Sequence, residues 1–218
     1  METKIAPETL ELIKSDVKTI FENSRGSHDL DHTHRVYNLC LRIGHIEHAN
    51  KEVITLAALL HDIGRQKQDS SQGKVCHARY GSVLAEKVLM KYDFPDDFIK
   101  KITHCIETHR FRNNKPPVSL EAKVLFDADK LDAIGAVGIG RAFLFAGEIG
   151  AKLHNQNGEI TQTQEYSIED TAYREYMVKL RYIKDKMLTD EGKRLAQGRH
   201  QFMVEFFDRL DQECNGLS

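Results

Sequence analysis

The segment Val53–Leu60, VITLAALL, is apolar almost all round at helical spacing, and it runs directly into two ionisable residues, His61 and Asp62. A helix without a polar stripe has no face to give to water, so it is expected to pass through the centre of a helical bundle. That placement constrains its last turn. A carboxylate delivered to a protein interior is costly unless a cation or several donors meet it. A cap or a buried ion pair would explain one such residue; two adjacent ones are hard to satisfy without a positive charge.

The rest of the chain is also helical in pattern. Val36, Leu39, Cys40, Ile43 and Ile46 recur at steps of three and four, as do Phe98, Ile99, Ile102, Cys105, Ile106 and His109. Strand-like alternation is nearly absent, so the fold class is all-α. Helices are expected over about 7–22, 31–48, 51–62, 77–92, 95–110, 119–132, 134–152, 168–186 and 190–212. Between them lie the breakers NSRGSHD, GRQKQDSSQGK, FPDD, RNNKPPVS and HNQNGEITQTQEYS. The last of these, 154–167, is polar enough to be expected as a mobile lobe or lid that gates a pocket. No repeat, low-complexity tract or linker divides the 218 residues, which favours a single domain over 1–218.

Composition narrows the function classes. The chain is 40% apolar with a net charge of −2, and its Lys and Arg residues are dispersed, so no nucleic-acid polymer is expected as partner. The opening METKIAPETLELIKSDVKTIFENS lacks the apolar core of a signal peptide, and no later segment approaches a bilayer span, so the expectation is a cytoplasmic protein with no membrane partner. Cys40, Cys76, Cys105 and Cys214 lie far apart with no CxxC pairing, which points to neither a zinc ribbon nor a disulfide framework. Cys40 and Cys105 fall on apolar stripes and read as ordinary buried thiols.

Other ionisable residues share the packing faces. In SHDLDHTHRV, the pairs His28–His32 and Asp29–His32 have the spacing of one helical face. The stripe through Val36, Leu39, Ile43 and Ile46, extended backwards, reaches His32. Thr33 and His34 fall off that line, and His28 and His34 read best as solvated. In VLFDADKLDAIGAVGIGRAF, Asp129 lies four residues after Leu125 and points inward, with Asp132 one turn further. His109 shares its stripe with Ile102, Cys105 and Ile106, whereas His104 lies off it and is expected at the surface. Gly135, Gly138 and Gly140 have no preceding strand and so do not form a dinucleotide fingerprint; close helix packing is their expected use. Imidazoles and carboxylates converging from separate helices suit a divalent metal ion such as Mn, Ni, Fe, Co, Zn or Mg, and the ligand types alone do not select among these.

The order His32, then His61-Asp62, then Asp129 resembles the signature of the HD superfamily of metal-dependent phosphohydrolases. DLDHTHRV (Asp29, His32, Arg35, Val36), LLHDIGRQK and LFDADKLDAIGAVGIGRAF carry the likeness, and it extends to YIKDKMLTDEGKRLAQGRHQFMVEFF, covering roughly residues 20–210. It is strongest to the small single-domain bacterial branch whose members hydrolyse nucleotide pyrophosphate bonds. The resemblance implies an HD-type bundle with the metal at its centre, a metal-binding core over about 20–135, and a helical extension over about 136–212 packed on it. It makes His32, His61, Asp62 and Asp129 the metal ligands, with Asp62, Asp129 and His77 in the catalytic centre.

His77, in HARYGSVLAEKVL, resembles the H-x-x-x-G element of members with a second metal. Those members carry a His-His pair where this chain has Thr108-His109. For His77 and His109 two readings therefore stay open, second-metal ligand or substrate-phosphate contact, with a satisfied core histidine as a third for His109. Arg65, Lys67 and Lys130 flank the implied ligands and are expected to contact phosphate, the alternative for each being a solvated cation. The first carboxylate after the HD pair is Asp69, expected in a loop, so the general base is left among Asp129, His77 and a metal-bound hydroxide.

The implied activity is hydrolysis of a small nucleotide, releasing pyrophosphate from a nucleoside triphosphate or phosphate from a monophosphate. The alternatives are a phosphodiesterase acting on a cyclic nucleotide or dinucleotide and a non-enzymatic nucleotide sensor. The sequence leaves a homodimer open.

Overall fold

A computed structural model describes residues 3–21, 30–110, 115–155 and 160–217. His28 and Asp29 lie outside the described residues, as do 156–159 of the polar segment. Among the described residues every regular element is helical: α1 Pro7–Phe21, α2 Leu30–Ile46, α3 Lys51–Leu60, α4 Arg65–Ser70, α5 His77–Lys91, α6 Asp96–Thr108, α7 Leu120–Leu131, α8 Gly135–Glu148, α9 Ala172–Val178 and α10 Asp190–Cys214. Short 3-10 helices cover Ile160–Gln162 and Leu180–Lys186. No helix among the described residues is long and apolar enough to cross a membrane. The all-α expectation stands. The chain packs as two compact units, Met1–Asp129 and Lys130–Ser218, so that α7 contributes its last residues to the second.

In the first unit α3 holds the central place that its sequence demands, with every residue from Val53 to Leu60 buried. Its start is fixed through both the side chain and the backbone amide of Asn50. The Asn50 side chain accepts from the Val53 amide at 3.0 Å, an N-cap, and the Asn50 amide donates to Glu121 Oε1 at 3.1 Å near the start of α7. α7 is similarly submerged, with Ala122, Val124, Leu125, Phe126 and Ala128 buried. α2 lays Val36, Cys40 and Ile43 into the same core. Its stripe does not extend as far as the spacing predicts: Leu39 is half-buried and Ile46, the last residue of the helix, is 49% exposed. The helix simply outruns the core there.

The segment 64–74, read as a breaker, contains the short helix α4, so Asp69 is helical and lies on the same face as Arg65, at 3.9 Å. His104, expected at the surface, is half-buried with Nε2 3.5 Å from the Val118 amide. Cys40 and Cys105 are buried free thiols, as their stripes predict. Burial pushes the Cys105 thiol up to about 12, and lifts Cys40 in the same direction.

The second unit is built on an aromatic centre. Phe207 of α10 is fully buried, stacked on Tyr176 at 4.4 Å and Phe143 at 6.4 Å, with Phe206 at 5.2 Å edge-on. The helix predicted over 168–186 is broken instead: Lys179, at φ −140° and ψ −56°, separates α9 from the 3-10 helix. The polar segment before it is tied down rather than loose in its described part. Arg174 donates to Thr163 Oγ1 at 2.7 Å, to the Thr163 carbonyl at 2.8 Å and to Asp170 at 2.8 Å, while Asn155 donates to Glu169 and accepts from Thr171. Within that described part, internal hydrogen bonds meet Asn155, Thr163, Asp170 and Arg174. Of the three glycines near the start of α8, Gly138 packs against the Ala133 carbonyl and Gly135 takes φ +77°, whereas Gly140 faces open space and does not serve packing.

Gly64 decides how closely α5 approaches the end of α3. A Cβ at Gly64 would lie 2.4 Å from the His77 carbonyl oxygen and 2.7 Å from the Gly81 amide nitrogen, both backbone atoms that cannot swing away. Its φ is −86°, so the demand is for space and not for a left-handed turn. A Cβ at Gly81 meets nothing nearer than 3.3 Å. Gly64→Ala is therefore expected to destabilise the protein by about 1–3 kcal/mol through overpacking, and Gly81→Ala by less, as read from urea unfolding; equal losses would show that the approach of α5 is not set at Gly64.

Candidate metal centre

Five helices deliver the ionisable groups to the interior of the first unit. His32 comes from α2, His61 and Asp62 from the turn that ends α3, His77 from the first residue of α5, His109 from the residue that ends α6, and Asp129 from the last turn of α7. His32, His61, Asp62, His77 and His109 are each at most 3% exposed. The Asp129 side chain is 18% exposed.

The groups form two triads. Ligand atoms of His32, His61 and Asp129 lie within 4.8 Å of one another, and so do those of Asp62, His77 and His109. In the first, His32 Nε2 is 3.3 Å from His61 Nε2 and 3.5 Å from Asp129 Oδ1. In the second, His77 Nε2 is 3.0 Å from Asp62 Oδ1 and 3.1 Å from His109 Nε2. Asp62 joins them: its Oδ2 stands 3.8 Å from His32 Nε2 and 3.9 Å from His61 Nε2, and its Oδ1 stands 3.8 Å from His109 Nε2. The four ligands implied by the sequence are thus brought together, and His77 and His109 are brought against the same carboxylate.

The ring orientations fit a divalent cation. His61 Nδ1 donates to the Ala58 carbonyl at 2.7 Å, and His109 Nδ1 donates to the Ile106 carbonyl at 2.6 Å. A neutral imidazole that donates through Nδ1 has its lone pair on Nε2, and both Nε2 atoms point into the cluster. Nitrogen lone pairs and carboxylate oxygens at this spacing are a donor set that could hold a divalent ion, and they do not distinguish one first-row ion from another.

His77 differs from these two. Its Nδ1 has Arg65 Nη1 at 2.9 Å, Gln68 Oε1 at 2.9 Å and Arg110 Nη1 at 3.3 Å. Arg65 therefore reaches the cluster through His77, while Lys67 stands exposed on α4 and Lys130 is half-buried on the last turn of α7. Gln68, Arg110 and the fully buried Asp127 are polar residues of this unit that the sequence reading missed. Arg110 could have been suspected from its place directly after the inward-facing His109. Gln68 could not, since the helix that aims it was not predicted. Asp132, expected to point inward, is buried but paired with Arg141 at 2.7 Å within the second unit.

Burial pushes the His109 imidazole down to about 3; the neighbouring Asp129 opposes this and His61 and His77 reinforce it. Burial also lowers His77, opposed by Asp62. An unfolded histidine titrates near 6.5, so the unfolded chain takes up these protons first. The stability that neutral His109 contributes is complete above pH ~6.5 and is lost progressively as the pH falls toward about 3. In the metal-free protein, unfolding free energy should consequently fall more steeply between pH ~7 and ~5 for wild type than for His109→Gln; parallel curves would place the histidine's folded value near its unfolded one.

A family model described as the HD domain matches residues 29–134, a span that includes both triads. The YpgQ protein of Bacillus subtilis strain 168 is 34% identical over 211 residues, covering 95% of this chain and 94% of its own. The crystal structure of Bacillus subtilis YpgQ in complex with ADP superposes with a TM-score of 0.72 at 30% identity, over 94% of this chain and 95% of that one. An HD-superfamily hydrolase from Bacillus thuringiensis superposes with a TM-score of 0.73 at 28% identity, over 95% of this chain and 97% of that one. A relative that similar along nearly the whole length, and a model matched from before His32 to beyond Asp129, place the chain in the HD domain family.

Proposed function

We propose that this protein is a metal-dependent phosphohydrolase of small nucleotides, with pyrophosphate release from a nucleoside triphosphate or phosphate release from a nucleotide as its reaction. The observation that carries the reading is the pair of triads joined through Asp62, buried and oriented from five helices. The ADP held by YpgQ, and the hydrolase description of the Bacillus thuringiensis relative, support a nucleotide and a hydrolytic reaction for a chain this similar.

In this reading His32, His61, Asp62 and Asp129 hold a divalent cation. When bound, such an ion polarises a phosphoryl oxygen and lowers the pKa of a water toward neutrality. The protein's own groups do the rest. The Ala58 carbonyl fixes the ring of His61 and so the direction of its lone pair. The apolar wall of α3 keeps bulk water from the buried carboxylate, which strengthens every charge interaction beside it. Arg65 brings a guanidinium to His77, on the edge of the cluster, where a substrate phosphate would meet it. His77, 3.0 Å from Asp62 Oδ1, and Asp129 are the groups placed to hold or pass a proton at the attacked phosphate.

The second triad favours one other reading, a phosphodiesterase on a cyclic nucleotide or dinucleotide, because Asp62 with His77 and His109 offers a second set of cation ligands. One assay separates the two. The purified protein is given Mn and a panel of nucleoside mono-, di- and triphosphates with cyclic mononucleotides and dinucleotides. Pyrophosphate or phosphate release is expected, and Asp62→Ala should lower it by at least about a thousandfold, since the variant removes the carboxylate that joins the two triads. Turnover confined to the cyclic substrates would shift the assignment to a phosphodiesterase. Tight nucleotide binding without any Asp62-dependent turnover would make the protein a sensor. Chelation with EDTA is expected to abolish turnover, and added Mn to restore it; activity that persists through chelation would remove the metal from the reaction.

A further inference from the structure

We infer that the first unit carries a second ligand site, a pocket where α2 turns into α3 that takes a small organic carboxylate with an apolar body. None of the residues that line it belongs to the buried cluster, so the inference stands apart from the phosphohydrolase reading.

The pocket has a volume of about 520 Å³, inside the range of small-molecule sites, about 300–1,000 Å³. Its floor is apolar, made by half-buried Leu41 and Ala49 and by buried Ile54. Gly44 shapes that floor. A Cβ there would lie 2.2 Å from Ile54 Cδ1, so the absence of a side chain is what lets Ile54 of α3 reach α2. The rim is basic: His45 from the last turn of α2, His48 from the turn and Lys51 from the first residue of α3, all three exposed. No carboxylate is among the residues that line the pocket; Glu47 and Glu52, the acidic neighbours in sequence, stand outside it. The chain leaves α2 through His48 at φ +59°, with the Ala49 amide donating to the Gly44 carbonyl at 2.9 Å. Glycine fills such a left-handed position at least cost. An imidazole stands there instead and adds a donor to the rim.

Floor and rim together define the occupant. An ammonium carries three donors, and an imidazole carries an N–H whether neutral or protonated, so the rim offers donors and positive charge to an acceptor-rich anion. A neutral molecule would leave that charge unmatched. A bare inorganic anion would leave the floor wet, whereas apolar surface gains free energy on leaving water in proportion to its area. A carboxylate borne on a ring or a short chain satisfies both halves. The place is also distinct from the cluster: Lys51 begins α3 and His61 closes it, a separation of about 15 Å along the helix.

Backbone amide chemical shifts, followed in EDTA, test the site with three probes: 2-naphthoate, its neutral isostere 2-naphthamide, and inorganic phosphate. Naphthoate is expected to move the amides of Gly44, Ala49 and Lys51 together and to leave those of Asp62, His77 and His109 in place. Naphthamide should bind about three- to tenfold more weakly, and phosphate should not saturate these amides in the range where naphthoate does. Lys51→Gln should remove most of the preference for the carboxylate over the amide. Ala49→Phe, which fills the floor, should weaken naphthoate by at least about tenfold. Thermal melts show that the variants are folded, and Lys51→Gln, an exposed change, carries the test if Ala49→Phe is not. Several results would overturn the assignment: no movement of the pocket amides, equal affinity for the two naphthyl probes, an unchanged preference in Lys51→Gln, or phosphate binding there as tightly as naphthoate. Shifts confined to the cluster would overturn it too. None of these outcomes bears on Asp62-dependent turnover, which judges the hydrolase reading separately.

Discussion

The buried Asp62 carboxylate is the constraint around which the first unit is organised. It is carried into the interior because the helix before it has no polar face, and once there each of its oxygens must be met. Oδ2 faces the imidazoles of α2 and of the α3 terminus, while Oδ1 faces those of α5 and of the α6 terminus. No one of these helices could supply both pairs. The close approach of α5, allowed by the absence of a Cβ at Gly64, is what brings His77 to 3.0 Å from the carboxylate. Packing at a glycine and charge at an aspartate are two parts of one arrangement.

The helix ends add a second economy. His61 and His109 occupy the same place in their helices, the residue that closes the C-terminus, and each ring donates to the carbonyl three residues earlier. The last carbonyls of a helix lack intrahelical partners and carry its partial negative charge. Here those carbonyls are capped by imidazoles, and the cap fixes the tautomer. The same hydrogen bond thus finishes the helix and turns a lone pair toward the cluster. Both histidines keep helical φ and ψ, −61° and −36° for His61 and −62° and −20° for His109, so each ring lies over the last turn of its own helix.

Much of this was legible in the sequence because it depends on periodicity. The apolar run of α3 announced its burial, the backward extension of the α2 stripe found His32, and the stripe of α6 found His109. What stayed hidden depends on contacts between distant segments. Gly64 reads as an ordinary chain exit until α5 is laid against it. Gln68 and Arg110, forty-two residues apart, acquire meaning only by meeting at His77. Beside the polar segment 154–167, Arg174 takes up the Thr163 carbonyl and the Asp170 carboxylate, another meeting that composition does not announce. Short helices such as α4 also escape a periodic reading, since six residues do not complete two turns.

The carboxylates near the end of α7 show where sequence reasoning about function must stop. Asp129 and Asp132 both satisfy the spacing of an inward-facing residue, and Asp127, which was not singled out, is the most deeply buried of the three. Direction toward a core is therefore not what separates a candidate ligand from a structural charge. The partner is. Asp132 is met by the permanent cation of Arg141 at 2.7 Å, a pair that neutralises the carboxylate and leaves it little to offer a metal. Asp129 faces His32 at 3.5 Å, an imidazole that carries charge only when protonated and that is itself turned toward His61. In the proposed reading, two aspartates three residues apart are told apart by the side chains the fold sets beside them, Arg141 for Asp132 and His32 for Asp129.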